Sequence, residues 1–228
     1  ELQLKDLDSI EKKMQRYEKI AKNDPKAKRV YDVLVQCQQY LMQGKNIRGL
    51  QLEGEDLEAV ADLFLLTQKP VLYVANVDEA AIHTGNKYSE ALIKAATEEG
   101  AQVIVMNNSI EAQISEMENA EDKEMFLGEY GLKEPGLNRL IRAAYELLNL
   151  ITYFTAGVQE VRAWTIHRGW KAPQAASVIH TDFEKGFIKA ETIAYNDYVQ
   201  YGSESACRDN GKLRIEGKEY VVSDGDVM

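Results

Sequence analysis

Two short apolar runs, separated by a stretch long enough for a helix, constrain this chain more than any other feature. Pro70–Asn76 is one run and Gln102–Met106 the other. Between them Ser89 is placed to cap a helix over Glu90–Glu99, and Gly100 to end it. Strand, helix, strand with continuously apolar strands predicts a parallel α/β unit whose strands are buried. Helices from Ile110 to about Met117 and from Gly136 to Leu148 continue that pattern.

The flanking segments have other periods. Leu4, Leu7, Ile10, Met14, Tyr17 and Ala21 recur at spacings of three and four, one face of a helix. Asn23-Asp24-Pro25 stops the chain and restarts it, since Asp24 can cap and Pro25 suits a first helical turn. Ala27, Val30, Leu34, Cys37 and Leu41 then follow the seam spacing of a coiled coil, closed by Gly44. Two helices joined so tightly lie antiparallel. A third helix, Asp56 to about Thr67, precedes Pro70. After Leu150 the chain turns to β-branched and aromatic runs at Ile151–Thr155, Val161–Ile166 and Tyr220–Val222. Helical patches at Gln174–Ile179 and Asp182–Lys185 lie between them, a small mixed α+β domain. The last residues read as a strand, a turn at Asp224-Gly225 and the opening of a strand that is not completed. With Glu rather than Met at residue 1, the expectation is a piece of a longer protein.

Charge narrows the function classes. The 228 residues carry 27 Lys and Arg against 37 Asp and Glu, a net charge of −10, which disfavours a protein that coats nucleic acid through its overall field. The excess is local: residues 69–150 hold 7 basic and 14 acidic groups, against 11 and 12 in 1–68 and 9 and 11 in 151–228. Two cysteines, Cys37 and Cys207, are too few for a disulfide framework and point to a reducing compartment, the cytoplasm. The longest uncharged stretch, Leu147–Gln159, contains Asn, Thr, Gly and Gln and falls short of the roughly 18 apolar residues of a membrane helix, so no membrane partner is expected.

The sequence Asn76-Val77-Asp78-Glu79 closes the first strand. In open α/β sheets ligands bind beyond the carboxyl ends of strands, where such a cluster can read a base or a phosphate. On spacing alone, Asn and Asp there simply turn the chain. Taken with Asn107-Asn108-Ser109-Ile110-Glu111-Ala112 after the next strand and with Glu134–Leu150, the motif resembles the YchF subfamily of Obg-related P-loop NTPases. Tyr153–Gly157, Glu160–Thr165, Ala172–Ala176, Ile179–Ile188 and Asp224–Asp226 resemble the C-terminal TGS domain of that subfamily, so the likeness covers essentially the whole chain. It implies an α/β fold class: a helical coiled-coil arm at 1–67, the C-terminal part of a P-loop NTPase domain at 68–149, and an α+β β-grasp (TGS) domain at 150–228, truncated at its C-terminal strand. The function it implies is a translation-associated ATPase, preferring ATP over GTP, with Mg²⁺ in the full-length parent.

The likeness also assigns roles. In GTPases an Asn-Lys-x-Asp motif reads guanine, the Asp accepting from the ring N–H and the exocyclic amino group; Glu79 stands where that Asp would be. On adenine a well-placed short carboxylate loses one partner and faces a ring lone pair, and a longer acid that swings away removes that discrimination. Asn76 is then implied to touch the base edge, the main chain of Val77 to read the adenine amino group, and the backbone at Asn107, Asn108 and Ser109 to close over the base. Here the sequence departs from the family, which has Ser-Ala-Lys or small residues. No Gly-x-x-x-x-Gly-Lys-Ser/Thr occurs in the 228 residues; Gly85–Ser89 lacks the second Gly. Without that loop nothing stabilises the charge of phosphoryl transfer, so the chain alone is expected to hydrolyse nothing, to hold no catalytic residue and to keep no cofactor of its own. A parallel sheet edge left open favours self-association.

Arg16, Lys19, Lys22, Lys26, Lys28 and Arg29 cluster around the hairpin tip, opposed only by Glu18 and Asp24. A solvated helical face is the plain reading. The likeness implies a ribosome or ribosomal RNA contact, with Arg162, Arg168 and Lys171 as the other wall of a groove. The alternative is a non-enzymatic RNA- or protein-binding module. His83, His167 and His180 have no Cys or His at metal spacing, so no metal site is expected. Cys37 reads as core, Cys207 as a more reactive thiol in a polar loop, and Trp164 and Trp170 as packing residues.

Overall fold

The computed structural model describes residues 1–157 and 160–228; residues 158 and 159, which close the longest uncharged stretch, lie outside the described residues. The chain forms two compact units, Glu1–Asn108 and Ser109–Met228.

The first unit opens with an antiparallel pair of helices, α1 (Leu2–Ile20) and α2 (Pro25–Met42). Asp24 caps α2 by accepting the Lys26 N–H at 2.9 Å, and Pro25 fills the first turn, where no donor is missed. Ala27, Leu34, Cys37 and Leu41 are buried along the seam, and Gly44 ends the path with φ of 75°. The stripe expected on α1 is corrected at its start: Leu4 is 70% exposed, and the buried positions are Asp6, Ile10 and Lys13. The two charged residues are buried because each is bonded. Asp6 accepts from the Leu66 N–H at 2.8 Å and from the Thr67 N–H and hydroxyl, both at 2.7 Å. The Lys13 Nζ donates to the Ala59 carbonyl at 2.8 Å and pairs with Asp62. The same bonds explain why α3 covers Gly54–Ala61 and stops short of Thr67. Phe64 takes a left-handed φ of 48°, and Leu66–Gln68 form a 3-10 turn whose first amides Asp6 holds.

Strands β1 (Leu72–Asn76) and β2 (Gln102–Met106) pair in parallel, Asn76 opposite Met106, joined by α4 (Lys87–Glu98). The cap of α4 is Asn86 and not Ser89. Asn86 accepts the N–H groups of Tyr88 and Ser89 at 3.0 Å, while the Ser89 hydroxyl takes the Asn86 N–H at 2.8 Å, a reciprocal box that closes only with Asn86 at its head. Burial of both strands is also corrected: Ala75 is buried, but Val74 is 42% exposed, because one crossover helix covers only one face of a two-stranded sheet. Asn46 and Arg48, at the base of the hairpin, bond Glu99 at 2.8 and 3.0 Å and tie the arm to the βαβ unit.

The second unit holds α5 (Asn108–Glu116, beginning on the last residue of the first unit), α6 (Ala120–Glu129) and α7 (Gly136–Leu147). Helix α6 is absent from the sequence reading, since its acidic run has no apolar stripe. Glu111 holds the start of α7, accepting the N–H groups of Gly136 and Leu137 at 2.7 and 3.1 Å. Five strands follow, β3 (Leu150–Ala156), β4 (Val161–His167), β5 (Ala190–Ala194), β6 (Arg214–Glu216) and β7 (Asp226–Val227), in the order β4-β3-β7-β5-β6. Strand β7 is parallel to β3 and antiparallel to β5, so the C-terminal strand expected to be unfinished pairs on both sides with two residues. Tyr220–Val222 is not a strand; it makes a single bridge, Lys171 to Val221. Helix α8 (Ala172–Ser177) lies on the sheet, where the Tyr153 hydroxyl donates to the Ala175 carbonyl at 2.9 Å, and α9 (Thr181–Gly186) packs beside it. Ile151, Tyr153, Ile166, Ala172, Ala175 and Val222 form this β-grasp core. Helices α10 (Tyr195–Tyr201) and α11 (Glu204–Asp209), like β5 and β6, are too short to show a period in the sequence.

Candidate nucleotide-base site and basic arm

The polar cluster lies where the parallel pair runs out. The Val77 N–H donates to the Met106 carbonyl at 3.0 Å, one residue beyond the last ladder pair. Asn76 Oδ1 accepts the Asn108 N–H at 3.0 Å, and Asn107 Nδ2 donates to the Val77 carbonyl at 2.6 Å. Val77 and Asn107 are buried, while Asn76 and Asn108 face solvent. Asp78 caps a 3-10 turn over Glu79–Ala81 by accepting the Ala81 N–H at 3.0 Å. Glu79 is exposed, and its carboxylate engages none of the described residues. Asn76, Val77, Glu79, Asn107 and Asn108 therefore gather at one end of the first unit. Ser109 follows as the first residue of the second, exposed, its carbonyl accepting from Gln113 at 3.3 Å. Sequence reading missed the inward turn of Asn107; its only signal was an amide where the family has a small residue. Among the described residues no group of three or more His, Cys, Asp or Glu side chains is placed to hold a metal ion.

At the hairpin tip Arg16 and Lys19 end α1, Lys22 lies in the turn, and Lys26 and Lys28 begin α2, all exposed. The expected opposition by Glu18 and Asp24 alone is corrected by α3. Arg29 pairs with Glu55 and, at 2.9 Å, with Asp56, whose hydrogen bond raises the guanidinium pKa further. In the second unit Arg162 stacks on the Trp164 ring, 4.1 Å from its centroid, Lys171 pairs with Glu219, and Arg168 is exposed. Exposed pairs of this kind add little to stability.

Both thiols are buried. Burial pushes Cys37 up to about 11. Cys207 is corrected from a reactive loop thiol to a residue of α11 with no exposed surface, its pKa raised by burial and by the Asp197 carboxylate. His180 caps α9, its Nδ1 accepting the Asp182 N–H at 3.2 Å. Trp164 donates to the Thr155 hydroxyl at 2.9 Å, and Trp170 packs on the core of the second unit. No helix among the described residues is long and apolar enough to cross a membrane.

A parallel βαβ unit whose first strand runs into Asn-x-x-Glu, a helical hairpin and a β-grasp domain are together consistent with the C-terminal part of an Obg-like P-loop NTPase that carries a coiled-coil arm and a TGS domain. The YchF-GTPase_C family, described as a protein of unknown function (DUF933), matches residues 150–228. Over its whole length the chain is 49% identical to the ribosome-binding ATPase YchF of Haemophilus influenzae and 47% identical to that of Bacillus subtilis, spanning 62% and 63% of those proteins. The structure of the Schizosaccharomyces pombe YchF GTPase matches with a TM-score of 0.86 at 36% identity, covering 99% of this chain and 62% of that one. The chain is thus similar over its whole length to YchF proteins and spans about three fifths of the length of these relatives.

Proposed function

We propose that this chain forms the base-reading end of an ATP-preferring, GTP-tolerant nucleotide site and the ribosome-contacting parts of a cytoplasmic, translation-associated NTPase. In this reading residues 1–67 are the arm, 68–149 the C-terminal part of the NTPase domain and 150–228 the TGS domain. Asn76, Val77, Glu79 and the backbone at Asn107, Asn108 and Ser109 meet the base, and Arg16, Lys19, Lys22, Lys26, Lys28, Arg29, Arg162, Arg168 and Lys171 meet RNA. The similarity to ribosome-binding ATPases supports an ATPase and a ribosomal partner.

The observation that carries the proposal is Glu79, an unengaged and exposed carboxylate three residues after Asn76 at the carboxyl end of β1. Its extra methylene lets it leave the base edge, so guanine gains no charged acceptor and adenine meets no fixed lone pair. Comparing ATP and GTP affinities of the intact protein before and after Glu79→Asp tests this. GTP affinity is expected to rise relative to ATP by about tenfold or more, the scale of a hydrogen bond to a charged group. An unchanged ratio removes residue 79 from base selection.

A further inference from the structure

Asn107 does not present its side chain as a nucleotide contact would. It is buried, 6% exposed, and its Nδ2 donates inward to the Val77 carbonyl at 2.6 Å. Val77 is thereby held at both polar groups of its own main chain. Its N–H is bonded to Met106, the last residue of β2, and its carbonyl to the side chain immediately after β2. The neighbouring rung, Asn76 Oδ1 to the Asn108 N–H at 3.0 Å, ties the same two chain segments from the other direction. The strand ladder ends at Asn76 and Met106, so beyond that pair these bonds set the orientation of the loop.

A carbonyl oxygen carries two lone pairs. With Asn107 on one, the other is left pointing in a fixed direction. We infer that Asn107 is a positioning residue for base selection: it holds the Val77 carbonyl as a directed acceptor for the exocyclic amino group of a 6-aminopurine nucleotide. A 6-oxopurine puts an oxygen lone pair against the same acceptor and is turned away. Selection is then divided between Glu79, which forgoes the guanine N–H edge, and the Asn107 side chain, which acts on position 6 through Val77 without itself touching the base. The inference rests on the reading of Asn76–Glu79 as the base-contacting loop.

Equilibrium binding to the intact protein of ATP, of purine riboside triphosphate, which lacks the 6-amino group, and of inosine triphosphate, which has a 6-oxo group, tests it. The natural protein is expected to prefer ATP over purine riboside triphosphate by about two- to tenfold, the range of one neutral hydrogen bond. Asn107→Leu, similar in size but without the donor, is expected to bring that ratio towards one and to narrow the preference over inosine triphosphate, with binding of purine riboside triphosphate unchanged. Asn107→Ala removes the same donor without added bulk and serves if the Leu variant unfolds. An equal loss for all three nucleotides marks a merely structural residue and overturns the inference. A preference that persists in both variants overturns it while leaving the base-contacting loop intact. A natural protein that does not distinguish ATP from purine riboside triphosphate overturns the loop reading and the inference together.

Discussion

Cys37 sits in the α1–α2 seam with no exposed surface, and burial pushes its thiol up to about 11 from the ordinary 9.0. The unfolded chain ionises this thiol near 9.0, while the folded chain keeps it protonated. The sign follows from linkage: the stability carried by the thiol is intact below the unfolded value and is lost as pH rises through about 11. Urea denaturation followed across that window is expected to show a decline that becomes shallower in Cys37→Val; equal declines would exonerate the thiol. Cys37 was legible as core because its neighbours along the seam recur at regular spacing. Asp6 and Lys13 were not, because the groups that make their burial tolerable, Leu66, Thr67, Ala59 and Asp62, lie on another element. Asn107 shows the same limit within the candidate site: the residue is visible in the sequence, but its partner is the main chain of Val77, thirty positions away.

Elements announce themselves through neighbours a turn away. Asp24-Pro25, Gly44 and Gly100 mark helix ends by local conformation, and all three lie at such ends. Helix α3 ends early for a reason local spacing does not contain, the Asp6 carboxylate drawing Leu66 and Thr67 into a tighter turn. The hairpin tip is the element whose charge the proposed ribosome contact turns on. With Arg29 paired to α3, the exposed lysines of the turn and of the start of α2 carry most of its open charge. If they contact ribosomal RNA, affinity for ribosomal particles falls steeply with salt, and Lys22→Glu, Lys26→Glu and Lys28→Glu together both weaken binding and flatten the salt slope. Sedimentation at several ionic strengths reads this out, and unchanged binding by the triple variant removes the tip from the contact.

On the scale of the whole molecule, acid concentrated in the middle of the chain separates the net charge of −10 from the arm, which is close to neutral overall and basic at its tip. A global count of charge is therefore a poor guide to where a polyanion docks, since screening confines each patch to about 8–10 Å. The 228 residues contain the proposed base-reading groups but no P-loop motif, so the purified chain is expected to turn over no ATP; phosphate release above background under Mg²⁺ would refute this. The sequence by itself determined the helical hairpin, the parallel strand pair, the β-grasp motifs and the family, because each rests on spacing within a few residues or on contiguous strings. Only the tertiary structure decided that β7 pairs on both sides with two residues, that Arg29 meets acids from α3, and that Asn107 turns inward to Val77. Those outcomes depend on which distant groups the fold brings within hydrogen-bonding reach, and no local pattern records that.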